Sequence, residues 1–467
     1  MFQPWMAERH SKFMGMKHHH KKYHHYGKKV YFYALHHQFS AMPPQPLIAL
    51  VDCNSFYVSC ECVFRPNLWE KPVGVLSNND GCFIARNKAL KSLGVKMGVP
   101  LFQVADLVKK HEVHLFSSNF PLYADMSSRV MSLLETFSPS TEIYSIDEAF
   151  LDLTGICQQD SIGYGLSIKQ SIQQNTGIPV CVGMGPTKTL AKLANFAAKK
   201  WPKTNGVVDL SCPQRRERLM RLLPVNEVWG IGSRLSQQLS QLGINNIWAL
   251  AQQPVQRIQL QFSVVLARTI MELNGISCLE LTEIAPDKKE IMCSRSFKQP
   301  LDNLMELSEA LAEFCSRATE KLRAQDSTAD RLTVFIRTNP FNPQDPQYQR
   351  SATLKFAIGT QDTRRLINAA KQLLQDIYKE GYRYQKCGIQ LSGLHPNSMP
   401  DQIDLFASPP ASRDRELMDC FDKINHRFPK SISIAATGLK KNWQFQPEHL
   451  SNRYTTQWGE LAIVKCS

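Results

Sequence analysis

The chain has none of the sequence features of a membrane protein or a disulfide-rich secreted protein. It contains no apolar stretch near the roughly 20 residues that a membrane helix needs. The first residues carry charged and aromatic side chains instead of the apolar core of a signal peptide. The 13 cysteines include no Cys-x-x-Cys pair, and Cys60 and Cys62 are too close for the usual zinc spacing. We therefore expect a cytoplasmic protein with reduced, buried thiols.

Acidic residues are fewer than basic ones, and the formal net charge is +14. Residues 1–46 hold six Lys, one Arg and one Glu, which is +6, so +8 remains for the rest of the chain. This excess supports a nucleic-acid partner only weakly. Residues 1–46 also hold eight of the 13 histidines. We expect a His-rich disordered extension, with the folded protein beginning at Leu47 and Met42 as a candidate for the true start.

At 467 residues the chain is too long for one core and predicts three or four domains. Strand and helix patterns alternate from Leu47 to about residue 212, which is typical of a mixed α/β domain. The pattern predicts strands at 47–51, 71–76 and 180–184, two short strands within 142–153, and helices at 83–93, 122–136 and 187–200.

The second half of the chain has a different order of elements. A helical segment at 213–285 is followed by the order β-α-β-β-α-β, which is the split ferredoxin-like arrangement. Its predicted strands are 290–297, 330–338, 351–358 and 383–394, and its predicted helices are 304–325 and 362–379. A Pro- and Ser-rich stretch from His395 to Pro410 predicts a linker.

Three carboxylates are candidates for a metal site. Asp52 ends an apolar strand, and Asp147 and Glu148 lie between the two short predicted strands. Adjacent residues of a regular strand point to opposite faces, so both acids can serve one site only if the chain turns or bulges there. Three carboxylates suit Mg²⁺, and two such ions about 3.5–4 Å apart would activate an attacking hydroxyl and stabilise a departing pyrophosphate. Taken singly, a strand-end cap and an exposed turn explain these acids better.

The sequence around the carboxylates resembles the Y-family DNA polymerases. The motifs are Asp52-Cys53-Asn54-Ser55-Phe56-Tyr57 and Ser145-Ile146-Asp147-Glu148-Ala149-Phe150. The intervening segments 76–82 and 117–127 are similar to the UmuC type, whose members are catalytic subunits of bacterial DNA polymerase V. The resemblance runs from about Leu47 to Leu394 and, more weakly, to the C-terminus.

This resemblance implies a role for each matching residue. Asp52 and Asp147 match the bridging metal ligands, and Glu148 matches the ligand that helps to hold the catalytic ion. Cys53 would contribute its backbone carbonyl. Tyr57 matches the steric gate, an aromatic ring that leaves no room for a 2′-hydroxyl and so favours deoxynucleotides. The pattern alone fits a core aromatic equally well.

The predicted helix 187–200 has a basic stripe. At about 100° per residue, Lys188, Lys192 and Lys199 lie within about 40° of one another, opposite an apolar stripe. No acid lies between them, as would be usual on a solvated face. The resemblance implies three triphosphate contacts, which are Lys88, Lys91 and Lys199. Relatives place a Tyr and an Arg where this chain has Lys88 and Lys91, and a lysine is a point charge instead of a bidentate fork.

Two further regions have the features of a DNA-binding surface. Residues 228–233 resemble a helix–hairpin–helix, in which Gly230 and Gly232 let backbone N–H groups approach a phosphate, although a simple helical turn is an alternative. In the ferredoxin-like part, Arg331, Arg337 and Lys355 alternate with apolar residues. Such a basic sheet face fits a duplex backbone, and an ordinary solvated sheet would have the same pattern.

A short peptide in the predicted linker resembles the sequence with which bacterial polymerases bind the sliding clamp. Its residues are Gln402, Leu405 and Phe406, within 402–406. Five-residue patterns also recur by chance, but a place in an exposed linker favours the clamp.

The resemblance implies a right-hand polymerase built from α/β and α+β domains. The expected division is an extension at 1–46, a palm at 47–75 and 123–212, fingers at 76–122, a helical thumb with the helix–hairpin–helix at 213–285, a ferredoxin-like little finger at 290–395, and a linker with the clamp peptide and a C-terminal tail at 396–467.

The function implied is error-prone translesion DNA synthesis in SOS mutagenesis, with two Mg²⁺ ions. The implied partners are primer-template DNA, dNTP, the sliding clamp, a processed accessory subunit of the UmuD′ type and the recombinase filament. One alternative is a catalytically inactive scaffold of the same fold that binds DNA and the clamp, against which the intact carboxylate trio argues. The other is a nucleotide cyclase on a similar palm, which leaves the hairpin and the clamp peptide unexplained.

Overall fold

The computed structural model describes residues 45–157, 159–284, 286–397, 412–439, 441 and 443–461. Within these ranges, no helix is both long enough and apolar enough to cross a membrane. Nearly all of the predicted His-rich extension lies outside the described residues, and so does the whole candidate clamp peptide with Gln402, Leu405 and Phe406.

Strands and helices of the described residues are numbered in chain order. The strands are β1 (Ile48–Cys53), β2 (Val73–Leu76), β3 (Phe83–Arg86), β4 (His114–Ser117), β5 (Thr141–Ile143), β6 (Glu148–Asp152), β7 (Val180–Gly185), β8 (Val207–Asp209), β9 (Ile291–Leu301), β10 (Ser327–Arg337), β11 (Gln349–Thr360) and β12 (Tyr384–Pro396). The helices are α1 (Phe56–Val63), α2 (Lys88–Ser92), α3 (Ala105–Lys110), α4 (Phe120–Leu134), α5 (Ser161–Thr176), α6 (Lys188–Lys200), α7 (Pro213–Leu222), α8 (Ser233–Gln241), α9 (Ile247–Ala251), α10 (Val255–Gln261), α11 (Val264–Leu273), α12 (Leu304–Ala324), α13 (Thr363–Ile377) and α14 (Ser412–Arg427).

A five-stranded sheet with the order β5-β6-β1-β7-β8 carries the candidate carboxylates. Its central strand β1 is antiparallel to both β6 and β7. Almost all of β1 and all of β7 are buried, because α5 packs on one face of the sheet and α6 on the other. At Gly183, α6 passes so closely that an added Cβ would lie 2.0 Å from the backbone nitrogen of Asn195. Glycine is therefore required at this position for the close approach of helix and sheet.

A smaller sheet has the order β3-β2-β4, with β2 antiparallel to β3 and parallel to β4. The predicted helix 83–93 is wrong in its first half. Phe83 and Ala85 are buried in strand β3, and α2 begins only at Lys88, after the Asn87 side chain caps it. Because β2 starts at Val73, residues 73–75 lie in this small sheet, although the division implied by the family resemblance assigned them to the palm.

Helices α7 to α11 enclose a core of their own, to which α6 contributes. The apolar stripe predicted on α6 is buried there, with Leu190, Leu193 and Ala197 among the core residues. The basic stripe of the same helix therefore faces the sheet that carries the carboxylates.

The ferredoxin-like domain has the predicted order β9-α12-β10-β11-α13-β12. Its strands form an antiparallel sheet with the order β11-β10-β12-β9, and α12 and α13 share one core with it. Leu354 is one of the apolar residues that alternate with the basic ones, and this alternation predicts that it faces the core, but it is 36% exposed because β11 is an edge strand.

The region after the predicted linker contains structure that the sequence pattern did not predict. Residues 412–427 form α14, and its Asp422 pairs with Arg323 of α12 at 2.5 Å. Farther on, Trp443 is buried in the core of the ferredoxin-like domain. Residues after Trp443 form hydrogen bonds with Ser117 of β4 and Glu61 of α1.

Candidate active site

The register of β1 and β6 brings two of the three candidate acids together. Asp52 of β1 pairs directly with Glu148, the first residue of β6. Asp147 lies in the turn before β6, where its carbonyl accepts a hydrogen bond of 2.8 Å from the backbone nitrogen of Cys53. Asp147 therefore lies outside the regular strand that Glu148 begins. The two acids need not point to opposite faces of the sheet, so both can serve one site.

The electrostatics of the carboxyl pair are dominated by burial. Asp52 is 6% exposed, and burial raises its pKa to about 7, against the opposing charge of Lys199. A hydrogen bond with Glu148 raises the pKa of Asp52 further. Burial also acts to raise the pKa of Glu148, but hydrogen bonds from Asp52 and Lys192 outweigh it and lower that pKa. The register of β1 and β6 thus sets the two carboxyls side by side, where each shifts the pKa of the other.

The third acid is held by a neighbouring hydroxyl. Ser145 Oγ donates a hydrogen bond of 2.7 Å to Asp147 Oδ1. Ser145 Oγ also accepts a hydrogen bond of 3.4 Å from the backbone nitrogen of Asp147, a local turn that serine commonly forms, although the sequence did not single out Ser145. Among the described residues, no three His, Cys, Asp or Glu side chains are arranged as a closed metal-binding group.

The basic stripe of α6 is matched by acids from the sheet. Lys199 Nζ lies 2.5 Å from Asp52 Oδ1, and Lys192 Nζ lies 2.6 Å from Glu148 Oε2. Lys188 is buried and pairs with Glu142, away from the carboxyl pair. The lysines of α6 have no acidic neighbours on their own helix because their acidic partners lie on β1, β5 and β6. The basic stripe therefore faces the sheet instead of solvent.

The other two candidate triphosphate lysines differ in position. Lys91 Nζ donates a hydrogen bond of 3.2 Å to Ser55 Oγ beside β1, and burial lowers its pKa, as do the charges of Arg86 and Lys199. Lys88 is exposed at the start of α2. Lys91, Lys199 and Arg86 thus form a basic edge next to Asp52.

Tyr57 lies between the core and the carboxylates. Its ring stacks on Tyr123 with centroids 4.7 Å apart and meets Phe120 edge-on at 6.0 Å. Burial raises the pKa of Tyr57, and the charge of Asp147 adds to the effect. The ring is only partly buried and packs on the core with the part that is covered.

The thiol of Cys53 is not available as a metal ligand. Its side chain is buried in the core, where burial and then the negative charges of Asp52 and Asp147 raise its pKa. A role for Cys53 at the metal site is thereby limited to its backbone carbonyl.

The candidate DNA-binding residues lie on two exposed surfaces. Gly230, with φ of +88°, and Gly232 are exposed just before α8, and an added Cβ at either would meet nothing within 4 Å. On the sheet of the ferredoxin-like domain, Arg331 pairs with Lys355 across β10 and β11, and Arg337 lies farther along the same face of β10. The helices α12 and α13 pack against the opposite face of that sheet.

Family models match most of the chain. The impB/mucB/samB family matches residues 51–195, its C-terminal domain matches 288–405, and the HHH motif of the IMS family matches 213–244. A domain of unknown function matches 415–464.

Several curated proteins are similar over nearly the whole chain. Protein UmuC of Salmonella typhimurium strain LT2 is 45% identical over 423 residues, which cover 90% of this chain and 100% of that protein. Protein ImpB of Salmonella typhimurium is 43% identical over 425 residues, with the same coverage. DNA polymerase IV of Pelotomaculum thermopropionicum is 27% identical over 408 residues, which cover 84% of this chain and 95% of that protein.

A solved structure agrees in fold. A Y-family DNA polymerase chimera of Dbh and Dpo4 has a TM-score of 0.61 at 23% identity, and the match covers 74% of this chain and 99% of the chimera. Together with the helix–hairpin–helix and the ferredoxin-like domain, this likeness confirms the expected right-hand polymerase fold. The chain belongs to the impB/mucB/samB family, the UmuC type of Y-family DNA polymerases.

Proposed function

We propose that this chain is a DNA-directed DNA polymerase that adds dNTPs to a primer opposite damaged template, as an error-prone enzyme of SOS mutagenesis. The observation that carries the proposal is the pairing of β1 with β6, which sets Asp52 opposite Glu148 with Asp147 next to it. Membership of the UmuC type supports DNA as the substrate, since relatives are named as DNA polymerases.

Asp52, Asp147 and Glu148 would hold two Mg²⁺ ions together with the backbone carbonyl of Cys53. These donors fit the ions, because all are hard oxygen atoms and the Asp52 and Glu148 carboxyls already face one another. When bound, such ions activate the primer 3′-hydroxyl and neutralise charge on the departing pyrophosphate.

Lysines beside the carboxylates would bind the triphosphate. Lys199 is paired with Asp52, yet 39% of its side chain is exposed, so its flexible stem can turn the ammonium towards an incoming phosphate. Lys91 lies on the fingers side of the same edge, and the exposed Lys88 is the third contact. Each of these ammonium groups would offset negative charge on the triphosphate.

Tyr57 would act as the steric gate for the sugar. Its stacking on Tyr123 fixes the plane of the ring, and Asp147 is near enough for its charge to raise the pKa of Tyr57. A fixed ring at this point excludes a 2′-hydroxyl by contact, which favours deoxynucleotides.

The protein would contact the DNA duplex through the phosphates of the DNA. Backbone N–H groups near Gly230 and Gly232 would bind one strand, and the basic sheet face with Arg331, Arg337 and Lys355 would bind the backbone without reading sequence.

The chain would also bind three protein partners and divide into the domains of a right-hand polymerase. Gln402, Leu405 and Phe406 would bind the sliding clamp, and a UmuD′-type subunit and the recombinase filament would assist synthesis in the cytoplasm. The palm, fingers, thumb and little finger would follow the division expected from the sequence, with β2 as part of the fingers sheet.

Primer extension by the purified full chain tests this proposal. We expect extension past a damaged template base with Mg²⁺ and dNTPs, and no extension when the metal is chelated. A chain that binds primer-template DNA but never extends it, with or without the proposed partners, would instead support the inactive scaffold.

A further inference from the structure

A segment near the C-terminus connects the ferredoxin-like domain to β4 and to α1, the helix that carries Tyr57. We name residues 443–454 the C-terminal strap. At its first end, Trp443 is 6% exposed and meets the rings of Phe297 and Phe314 edge-on, with centroids 6.2 and 5.9 Å apart. Just before the strap, Lys441 pairs with Glu313 of α12 at 2.6 Å. This end is therefore fixed in the core of the ferredoxin-like domain.

The other end of the strap is bonded to β4 and to the chain after α1. The backbone nitrogen of Ser117 donates to the carbonyl of His449 at 2.9 Å, and the backbone nitrogen of His449 donates to Ser117 Oγ at 3.0 Å. Tyr454 stacks on Phe64 with centroids 4.6 Å apart and accepts a hydrogen bond from Arg65. The strap thus spans from one domain core to another.

Between these ends, Ser451 enters a buried polar cluster. Ser451 is 4% exposed, and its Oγ donates a hydrogen bond of 2.9 Å to Glu61 Oε1. Asn119 Nδ2 donates to Ser451 Oγ at 2.9 Å, and to the carbonyls of Ser451 and Asn452 at 3.1 Å each. Both Glu61 and Asn119 are buried, so these bonds have no competition from water.

The same glutamate is linked to the proposed steric gate. Glu61 lies one helical turn after Tyr57 on α1. Tyr123 OH donates to Glu61 Oε1 at 2.7 Å, and the Tyr123 ring stacks on Tyr57 at 4.7 Å. A continuous path of contacts therefore runs from Ser451 through Glu61 and Tyr123 to Tyr57.

A buried carboxylate is a costly way to attach a strap. Taking the charge out of water is unfavourable, and an apolar contact such as Tyr454 on Phe64 attaches the chain without that cost. Unlike an apolar contact, Glu61 forms directional hydrogen bonds. Its Oε1 accepts from both Tyr123 and Ser451 and so fixes the position of the Tyr123 hydroxyl.

We propose that the C-terminal strap braces the proposed active site from the ferredoxin-like domain, and that Ser451 and Glu61 are positioning residues that hold the Tyr57 ring through Tyr123. The inference rests on the proposed role of Tyr57 as the steric gate. It makes sugar selection depend on a segment that does not touch the nucleotide.

The test measures selection of the sugar by full-length variants. Single-nucleotide primer extension gives kcat/KM for a ribonucleotide and for the matching deoxynucleotide, below the Tm of every variant. Ser451→Ala removes the donor to Glu61 and also an acceptor for Asn119. We expect it to raise the ribo-to-deoxy ratio about two- to tenfold, the range that the one lost hydrogen bond to Glu61 supports. Glu61→Gln keeps an oxygen acceptor and should leave the ratio near that of the wild type, whereas Glu61→Leu should raise it.

Two controls separate positioning from loss of stability. Thr456→Ala removes an exposed hydroxyl just beyond the strap and should change neither the ratio nor the Tm. Ile389→Val weakens the core of the ferredoxin-like domain and should lower the Tm with an unchanged ratio. A ratio that rises with Ile389→Val as much as with Ser451→Ala would overturn the inference.

Tyr57→Ala, measured in parallel, distinguishes failure of the brace from failure of the gate. A ratio raised by Tyr57→Ala but unchanged by Ser451→Ala refutes positioning by the C-terminal strap and is consistent with Tyr57 as the steric gate. No change with Tyr57→Ala refutes the gate and the brace with it. If both variants raise the ratio, the double variant should not exceed Tyr57→Ala alone, since both changes act through one ring.

Discussion

The basic face of the ferredoxin-like sheet leads to a quantitative prediction for DNA binding. Changing Arg331, Arg337 and Lys355 to Gln removes three positive charges from one sheet face. Arg337 is six positions along β10 from Arg331, about 20 Å away, and Lys355 lies opposite Arg331 on β11, so the three long side chains can reach different phosphates.

The magnitude follows from counterion release. Each phosphate neutralised contributes about −0.9 to the slope of log K against log salt, so the triple variant should lose about 2.7 from the steepness of that slope. Between about 50 and about 200 mM salt, the wild type should then lose about 40-fold more affinity than the triple variant does.

Fluorescence anisotropy with a primer-template duplex over a salt series measures both slopes. The matched control changes Lys321, Arg365 and Lys371 to Gln, because these basic residues lie on α12 and α13, which pack against the opposite face of the sheet. Both triple variants have the same net charge. An equal loss of slope in the two would refute a specific binding face and leave only an effect of total charge.

Three further predictions concern single sites. Tyr57→Ala should raise ribonucleotide incorporation relative to deoxynucleotide incorporation in primer extension. An unchanged ratio would show that Tyr57 is a core aromatic and not a steric gate. Leu405→Ala with Phe406→Ala should abolish clamp stimulation on long primed templates while activity on short ones without clamp stays the same; surviving stimulation would place the clamp contact elsewhere. Burial raises the pKa of Glu61, and the hydrogen bonds from Tyr123 and Ser451 and the charge of Arg65 only partly oppose this shift. The stability that Glu61 contributes is therefore present at acidic pH and is lost as the pH rises through its folded pKa. Glu61→Gln cannot ionise, so its Tm relative to the wild type should rise from pH 4 to pH 8, and a constant difference would contradict the burial argument.

The elements with a regular pattern could be predicted from the sequence. The alternation of β10 and the stripes of α6 each reflect one element packed against a core, and the structure confirms them, whereas the alternation fails at Leu354 of the edge strand β11. The segment 83–93 could not be divided correctly, because short apolar runs fit strand and helix alike until pairing with β2 decides.

The sequence motifs indicated the candidate carboxylates but not the side chains that pair with them. Asp52 and Glu148 could be found from their motifs, whereas the pairing of Lys192 and Lys199 with them depends on the distance between α6 and the sheet. The strap was not predictable for the same reason. Ser451 and Glu61 are 390 residues apart, and no local pattern indicates that they meet.

The central claim is tested most directly by Asp147→Asn in primer extension with Mg²⁺. The change keeps the size of the side chain and removes the charge, so we expect extension to be abolished while binding of primer-template DNA stays nearly the same. Asp106→Asn, on the exposed surface of α3, is the matched control and should extend primers as the wild type does. Extension by Asp147→Asn within tenfold of the wild type, about 1.4 kcal/mol of barrier, would contradict the assignment of the carboxylates as the catalytic site.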